Sequence, residues 1–225
     1  MAKKSAAANP AAPQLPQQLV PWDSVTSPLD DDAQWWQHEV VGDVGAVEAA
    51  RFDVEQCRFT RADVSGGSWH KASFRDCVFV DANLANVFAQ DSRLHRASVT
   101  TVRGTGMQWT NGTIKDVVFS DCRLDLAGFR FSKFVHVVFV DCRLSGADFT
   151  GADLSGVRFE SCDLSQARFD EATMTGAGLR HCTLSGISGV EGLRGARVSG
   201  TDLLSLTFAL AGACGIVVET DDASP

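Results

Sequence analysis

The sequence has no apolar run long enough to cross a bilayer. Its longest candidate, "LLSLTFALAGACGIVV" at residues 203–218, is 16 residues with Ser, Thr and small residues among them, short of the roughly 20 a membrane helix needs. It reads as a buried terminal element. A secretion signal is also missing: "MAKKSAAANPAAPQLPQQLV" opens with two lysines but then mixes Ser, Asn and Pro with no apolar core, so a cytoplasmic protein is expected. There is no basic excess, and the formal charge of -8 argues against direct nucleic-acid binding. No CxxC pair occurs, and seven cysteines are an odd number, which suits reduced thiols better than a disulfide framework. GxSxG, phosphate-cradling loops, dinucleotide turns and HExxH are all missing, so neither an enzyme nor a cofactor or metal site is indicated.

What the chain does contain is a period of five. From Val54 to Leu184, every residue whose number leaves remainder four on division by five belongs to one column of 27 positions, 25 of them large and apolar, with Ala89 and Gly104 the exceptions. Two residues earlier, 25 of the 27 positions hold Ala, Cys, Ser, Gly or Val, with Phe52 and Met107 standing out. In an extended segment residues two apart share a face, so the small and the large residue both point inward and the one between them points out. The other two turn a corner. "VVFSDCRL" at 117, "VVFVDCRL" at 137 and "VRFESCDL" at 157 repeat at twenty, four sides of five residues each. The spacing predicts a square coil in which like residues stack on like about 4.8 Å apart. Phe149 is expected to stack on Phe169.

Flanking regions differ. Residues 1–30, rich in Ala, Pro and Gln, predict a structureless tail, and residues 31–53, with Trp35 and Trp36 after an acidic run, predict a cap over the coil. The regular coil is expected over 54–200. Residues 201–218 predict an apolar helix with Thr201 or Asp202 as N-cap and Gly212 or Gly215 as its stop, and 219–225 a second tail. Hydrophobes all round that helix, among them Leu203, Leu204, Leu206, Phe208 and Leu210, leave one face to cap the coil and another for a second copy of the chain, the alternative being a purely intramolecular cap.

Cys57 and Cys77, and then Cys122, Cys142, Cys162 and Cys182, lie at intervals of twenty and should form an inward column. A buried small hydrophobe explains this slot more simply than a metal or redox ladder. The five histidines fall at different phases of the coil and predict surface positions. Gly104, with Met107 in a slot meant for a small residue, predicts a bend or loosened coil. Charge is uneven: residues 23–55 hold nine acids and one Arg, residues 56–145 eight acids and twelve bases, and residues 146–225 eleven acids and five bases.

The units "GADFT", "GADLS" and "DANLA" resemble the pentapeptide-repeat family, and the resemblance implies an all-β fold, a right-handed quadrilateral β-helix with a short C-terminal helix. The rod, the apolar C-terminal helix followed by "GIVVE" and the acidic balance resemble its topoisomerase-interacting branch. That resemblance implies a non-enzymatic protein that dimerises through the C-terminal helix, imitates DNA and binds DNA gyrase, inhibiting it or protecting it from a quinolone or a toxin. Outward Asp148, Asp153, Glu160, Asp163, Asp170 and Glu171 would then stand in for phosphates. The alternative is a scaffold or interaction module with another partner.

Overall fold

The computed structural model describes residues 9–25 and 28–217. Side-chain alternation sets its architecture. In each five-residue unit the small and the large inward residues are buried and the residue at the following corner takes a left-handed backbone, as at Asp76 (φ 52°), Asp81 (φ 54°), Asn86 (φ 56°) and Asp91 (φ 54°). Asn, Asp and Gly tolerate that conformation best, which is why they recur at the corners. Four corners close one coil, and the chain forms a right-handed quadrilateral β-helix.

Taken in chain order from Phe59, the first side carries Val40, Phe59, Phe79, Val99, Phe119, Phe139, Phe159, Leu179 and Val198 in one parallel ladder. These nine levels rise about 38 Å at the usual strand separation. The second side is joined by single bridges running Asp63, Asn83, Arg103, Arg123, Arg143, Asp163, Thr183. A sheet of Glu48–Ala50, Ser68–His70, Phe88–Gln90 and Gln108–Thr110 begins the third side, and the fourth carries Val54, Phe74, Leu94, Ile114 and Phe134 in register.

Inside, rings stack coil upon coil. Phe119 and Phe139 lie 4.7 Å apart at 8°, Phe139 and Phe159 5.1 Å apart at 5°, and Phe149 and Phe169 5.4 Å apart at 5°. Offset-parallel contact of this kind adds to the burial of each ring.

The expected bend at Gly104 is absent. Its N–H donates to the Arg123 carbonyl at 2.8 Å, and its own carbonyl accepts from Met107 at 3.1 Å, as in neighbouring coils. A Cβ on Gly104 would meet Leu124 Cδ2 and Met107 Sδ, both at 2.8 Å, so the long Met107 side chain already occupies the space. Ala89 is likewise sandwiched between Trp69 and Trp109. Only an apolar void of about 30 Å³ remains in this stretch.

The ends also depart from expectation. Residues 9–25 are not a structureless tail: they run extended along the rod, and Val20–Pro21 pairs in parallel with His38–Asp43. The 31–53 region begins the coil itself, since Gln34–Trp36 pairs with Asp53–Glu55. Trp35 points inward, stacks 6.4 Å from Phe59 and is covered by Trp22 at 5.3 Å, while Trp36 is exposed.

At the other end the N-cap is Ser199, whose hydroxyl accepts from the Asp202 N–H, rather than Thr201 or Asp202. The apolar stretch forms a short turn at Gly200–Leu203, a 3-10 turn at Leu204–Leu206 and a helix at Thr207–Ala213, with Gly215 at φ 73° beyond it. Asp202 has another task. Its carboxylate, 7% exposed, accepts the Cys182 N–H at 2.9 Å and so terminates a ladder that would otherwise leave a buried donor unpaired. Burial opposes the charge most, but the Cys182, Ser199 and Thr201 donors hold the carboxyl below its ordinary range. Asp202→Ala should cost about 1–3 kcal/mol, read as a lower urea midpoint with cleavage by protease starting at the C-terminal end. The expected tail at 219–225, and residue 218, lie outside the described residues.

Candidate interaction surfaces

The rod is filled, so its chemistry lies on its faces. The six predicted acids do not share one face. Glu160 belongs to the first side and Asp163 to the second, while Asp148, Asp153, Asp170 and Glu171 gather about the third side, the fourth and the corner between them. Several are already engaged. Asp148 lies between Arg130 at 3.1 Å and Arg168 at 3.8 Å and accepts the Thr150 N–H at 2.9 Å. Desolvation works against its charge, yet Thr150 and the two arginines hold its carboxyl below the usual range. Only 18% of its side chain is exposed, so the expectation that it points freely to water is corrected. Glu160 pairs with Arg158 and Asp170 with Arg168. Asp153 and Asp163 accept from the N–H groups of Ser155 and Ser165 at their corners, and Glu171 is exposed.

Of the five predicted dimerisation residues, four face outward: Leu203, Leu204, Phe208 and Leu210 are 51%, 78%, 69% and 41% exposed. Leu206 is the correction. At 2% exposure it plugs the end of the core, because the 3-10 turn rotates it to the opposite face from Leu204.

The cysteine column is buried as expected. Each thiol donates to carbonyls, for example Cys142 to Val140 at 3.3 Å, and burial pushes Cys57 and Cys182 up to about 11. Such thiols are poor nucleophiles. Among the described residues no three His, Cys, Asp or Glu side chains come close enough to hold a metal, and no helix is long and apolar enough to cross a membrane.

Two features escaped sequence reasoning. His95 and His136 converge on Asp116, at 3.6 and 3.1 Å; their phases differ but meet at one corner. The fourth side also carries an exposed basic strip of Arg93, Lys115 and Lys133, with no carboxylate within ion-pair distance of those three among the described residues.

The family model for the pentapeptide repeat region matches residues 52–129 and 112–188, more than half of the chain. The chain belongs to the pentapeptide-repeat family. No curated protein matches it in sequence. Among solved structures it is similar to a trypsin-treated form of QnrB1, a plasmid-mediated fluoroquinolone resistance protein, at 17% identity over 81% of this chain and 99% of that one, with a TM-score of 0.45. HetL, a pentapeptide repeat protein involved in heterocyst differentiation regulation in the cyanobacterium Nostoc, is 15% identical over 73% of this chain and 93% of its own, with a TM-score of 0.34. Rfr23 of the cyanobacterium Cyanothece is 19% identical over 46% and 60%, with a TM-score of 0.35. At these scores the likenesses carry no argument about function.

Proposed function

We propose that this protein is a non-enzymatic interaction rod that binds DNA gyrase or a related type II topoisomerase in the cytoplasm and modulates or protects it, acting as a dimer joined through its C-terminal end. The filled interior carries the non-enzymatic part of this reading. A void of about 30 Å³ has room for little more than a water, which leaves outer faces as the working surfaces.

The gyrase part rests on the family resemblance and on the corner where Asp153 and Glu171 stand without an ion-pair partner among the described residues. Charge acts there through long-range attraction to a basic groove. DNA imitation along the whole rod is a poor match to a surface that also carries the exposed bases Arg93, Lys115 and Lys133, so this reading puts the contact at that corner. Leu203, Leu204, Phe208 and Leu210 would bury their side chains against a second copy, with Leu206 excluded from the interface.

The test is a supercoiling assay with purified gyrase, with and without a quinolone. Micromolar protein should slow supercoiling or reduce drug-induced cleavage, and joint replacement of Asp153 and Glu171 by Lys should weaken the effect at least tenfold. If neither activity nor cleavage changes, gyrase is not the partner. An interaction module for an acidic partner then becomes the better reading, favoured by Arg93, Lys115 and Lys133 on the fourth side.

A further inference from the structure

The N-terminal segment behaves as a ligand held in its own groove. Within residues 9–22, Pro10, Pro13, Pro16, Leu19 and Trp22 are half-buried, with Leu15 the one addition to the series, whereas Ala11, Ala12, Gln14, Gln17 and Gln18 are exposed. A burial period of three is that of a polyproline II helix, which turns once in three residues and rises about 3.1 Å per residue. The segment crosses the coils lengthwise. Arg158 donates to the Asn9 side chain at 3.0 Å, and Val20 lies beside His38 in the first coils. Those rod positions are six coils apart, about 29 Å, and eleven residues of such a helix reach about 34 Å.

The groove explains why this segment lies there. On the first side the outward positions Val78, Val80, Val118, Val138 and Val140 are apolar, and none of them is exposed; Val138 is 5% exposed although it points away from the core. Along the corner beside it, Asp116 accepts the Ala11 N–H at 3.4 Å and Asp76 accepts the Gln14 N–H at 3.0 Å, while Gln56 donates to the Gln14 carbonyl at 3.1 Å. The two carboxylates are two coils apart, about 9.6 Å, and the two N–H groups are one polyproline turn apart, about 9.3 Å. The rod and the segment are commensurate. Arg96 binds Asp76 through two bonds, at 2.7 and 2.5 Å, and His136 holds Asp116 at 3.1 Å, so both acceptors are fixed before a ligand arrives.

We propose that the first side is a binding groove for extended segments with proline or leucine every third residue, and that residues 9–22 occupy it in cis to exclude such a segment of another protein. Recognition rests on backbone N–H groups read by Asp76 and Asp116 and on apolar residues laid over the valines. An interior strand could not bind this way along residues 10–16, since Pro10, Pro13 and Pro16 lack the N–H a ladder needs. The groove is independent of the gyrase reading.

The test uses the full chain and a fluorescent peptide, NPAAPQLPQQLVPW, corresponding to residues 9–22. In a chain carrying Pro13→Asp and Pro16→Asp the resident segment is loosened, and the peptide should bind at least tenfold more tightly than to the unmodified chain. Adding Asp116→Ala should weaken that binding at least threefold, and a peptide of the same composition with its prolines out of the three-residue register should not bind. Equal binding to both chains, equal binding of the scrambled peptide, or no binding to the loosened chain would overturn the proposal. Amide exchange in the unmodified chain gives a second reading that does not depend on any variant: Ala11 and Gln14 should exchange slower than Ala12, and exchange at the rate of a free peptide would contradict it.

Discussion

Phe139→Ala is expected to destabilise the rod by about 3–5 kcal/mol, the range for removing a fully buried aromatic ring. Phe139 has no exposed surface and stacks between Phe119 and Phe159, so the cavity cannot be filled from either neighbouring coil without breaking a second stack. Backbone ladders above and below fix the coil spacing and prevent collapse. Because each coil contacts only its neighbours, the loss should also reduce the cooperativity of unfolding. Urea denaturation followed by circular dichroism measures both. Val135→Ala, at an outward position of the same coil, is the control and should stay within about 0.5 kcal/mol. A loss below about 1 kcal/mol for Phe139→Ala would mean that the stack does not hold the middle of the rod.

The second large effect belongs to a charge. Arg96→Ala should cost about 3 kcal/mol, near the lower end for breaking a buried pair, since the Asp76 side chain is 3% exposed and that of Arg96 30%. Burial opposes ionisation of Asp76 more than any single neighbour favours it, but the Arg96 bonds, the Gln14 N–H and the charges of Arg96 and His95 together hold the carboxyl below its ordinary range. A depressed native value means that the unfolded chain binds the proton more readily. Stability from this group is therefore complete above the unfolded carboxylate range and is lost as the pH falls through the native value. Without Arg96 the sign reverses. Burial then dominates and raises the carboxyl, so the variant should lose stability as the pH rises through the raised value. Other carboxylates held low, Asp148 and Asp202 among them, act alike in both chains, so the difference between the two urea midpoints should widen as the pH rises from 3 to 7; a constant difference would mean that Arg96 does not set the state of Asp76.

The coil was legible in the sequence because two interleaved columns constrain each other: a large residue at 139 and a small one at 137 admit only an extended side with both pointing inward. The predicted stacking of Phe149 on Phe169 follows from the same rule. Gly104 misled because Met107 counts in the sequence as a second misfit, whereas its side chain fills the space the glycine leaves. Met107 reaches back from the next side, and at Ala89 the indoles come from residues twenty positions away on either side. Asp148 was read as exposed for a related reason, since its partners Arg130 and Arg168 lie one coil off in each direction. Residues 9–22 lie in a stretch whose Ala, Pro and Gln content predicts no structure, and the partners that hold them, Asp76, Asp116 and Arg158, are 62 to 149 positions away in the chain. Leu206 could not be separated from Leu204 without knowing that the helix begins as a 3-10 turn.

The proposed functional unit is a filled, elongated rod of two copies joined at their C-terminal ends. Small-angle X-ray scattering with light scattering tests it most directly, on the unmodified chain and on Phe208→Asp. Twice the chain mass of 24.1 kDa and a maximum dimension of roughly 90–100 Å are expected for the first, with the single-chain mass and about half that length for the variant at unchanged circular dichroism. A 24.1 kDa particle at high concentration, or a dimer unaffected by Phe208→Asp, would contradict the end-joined rod.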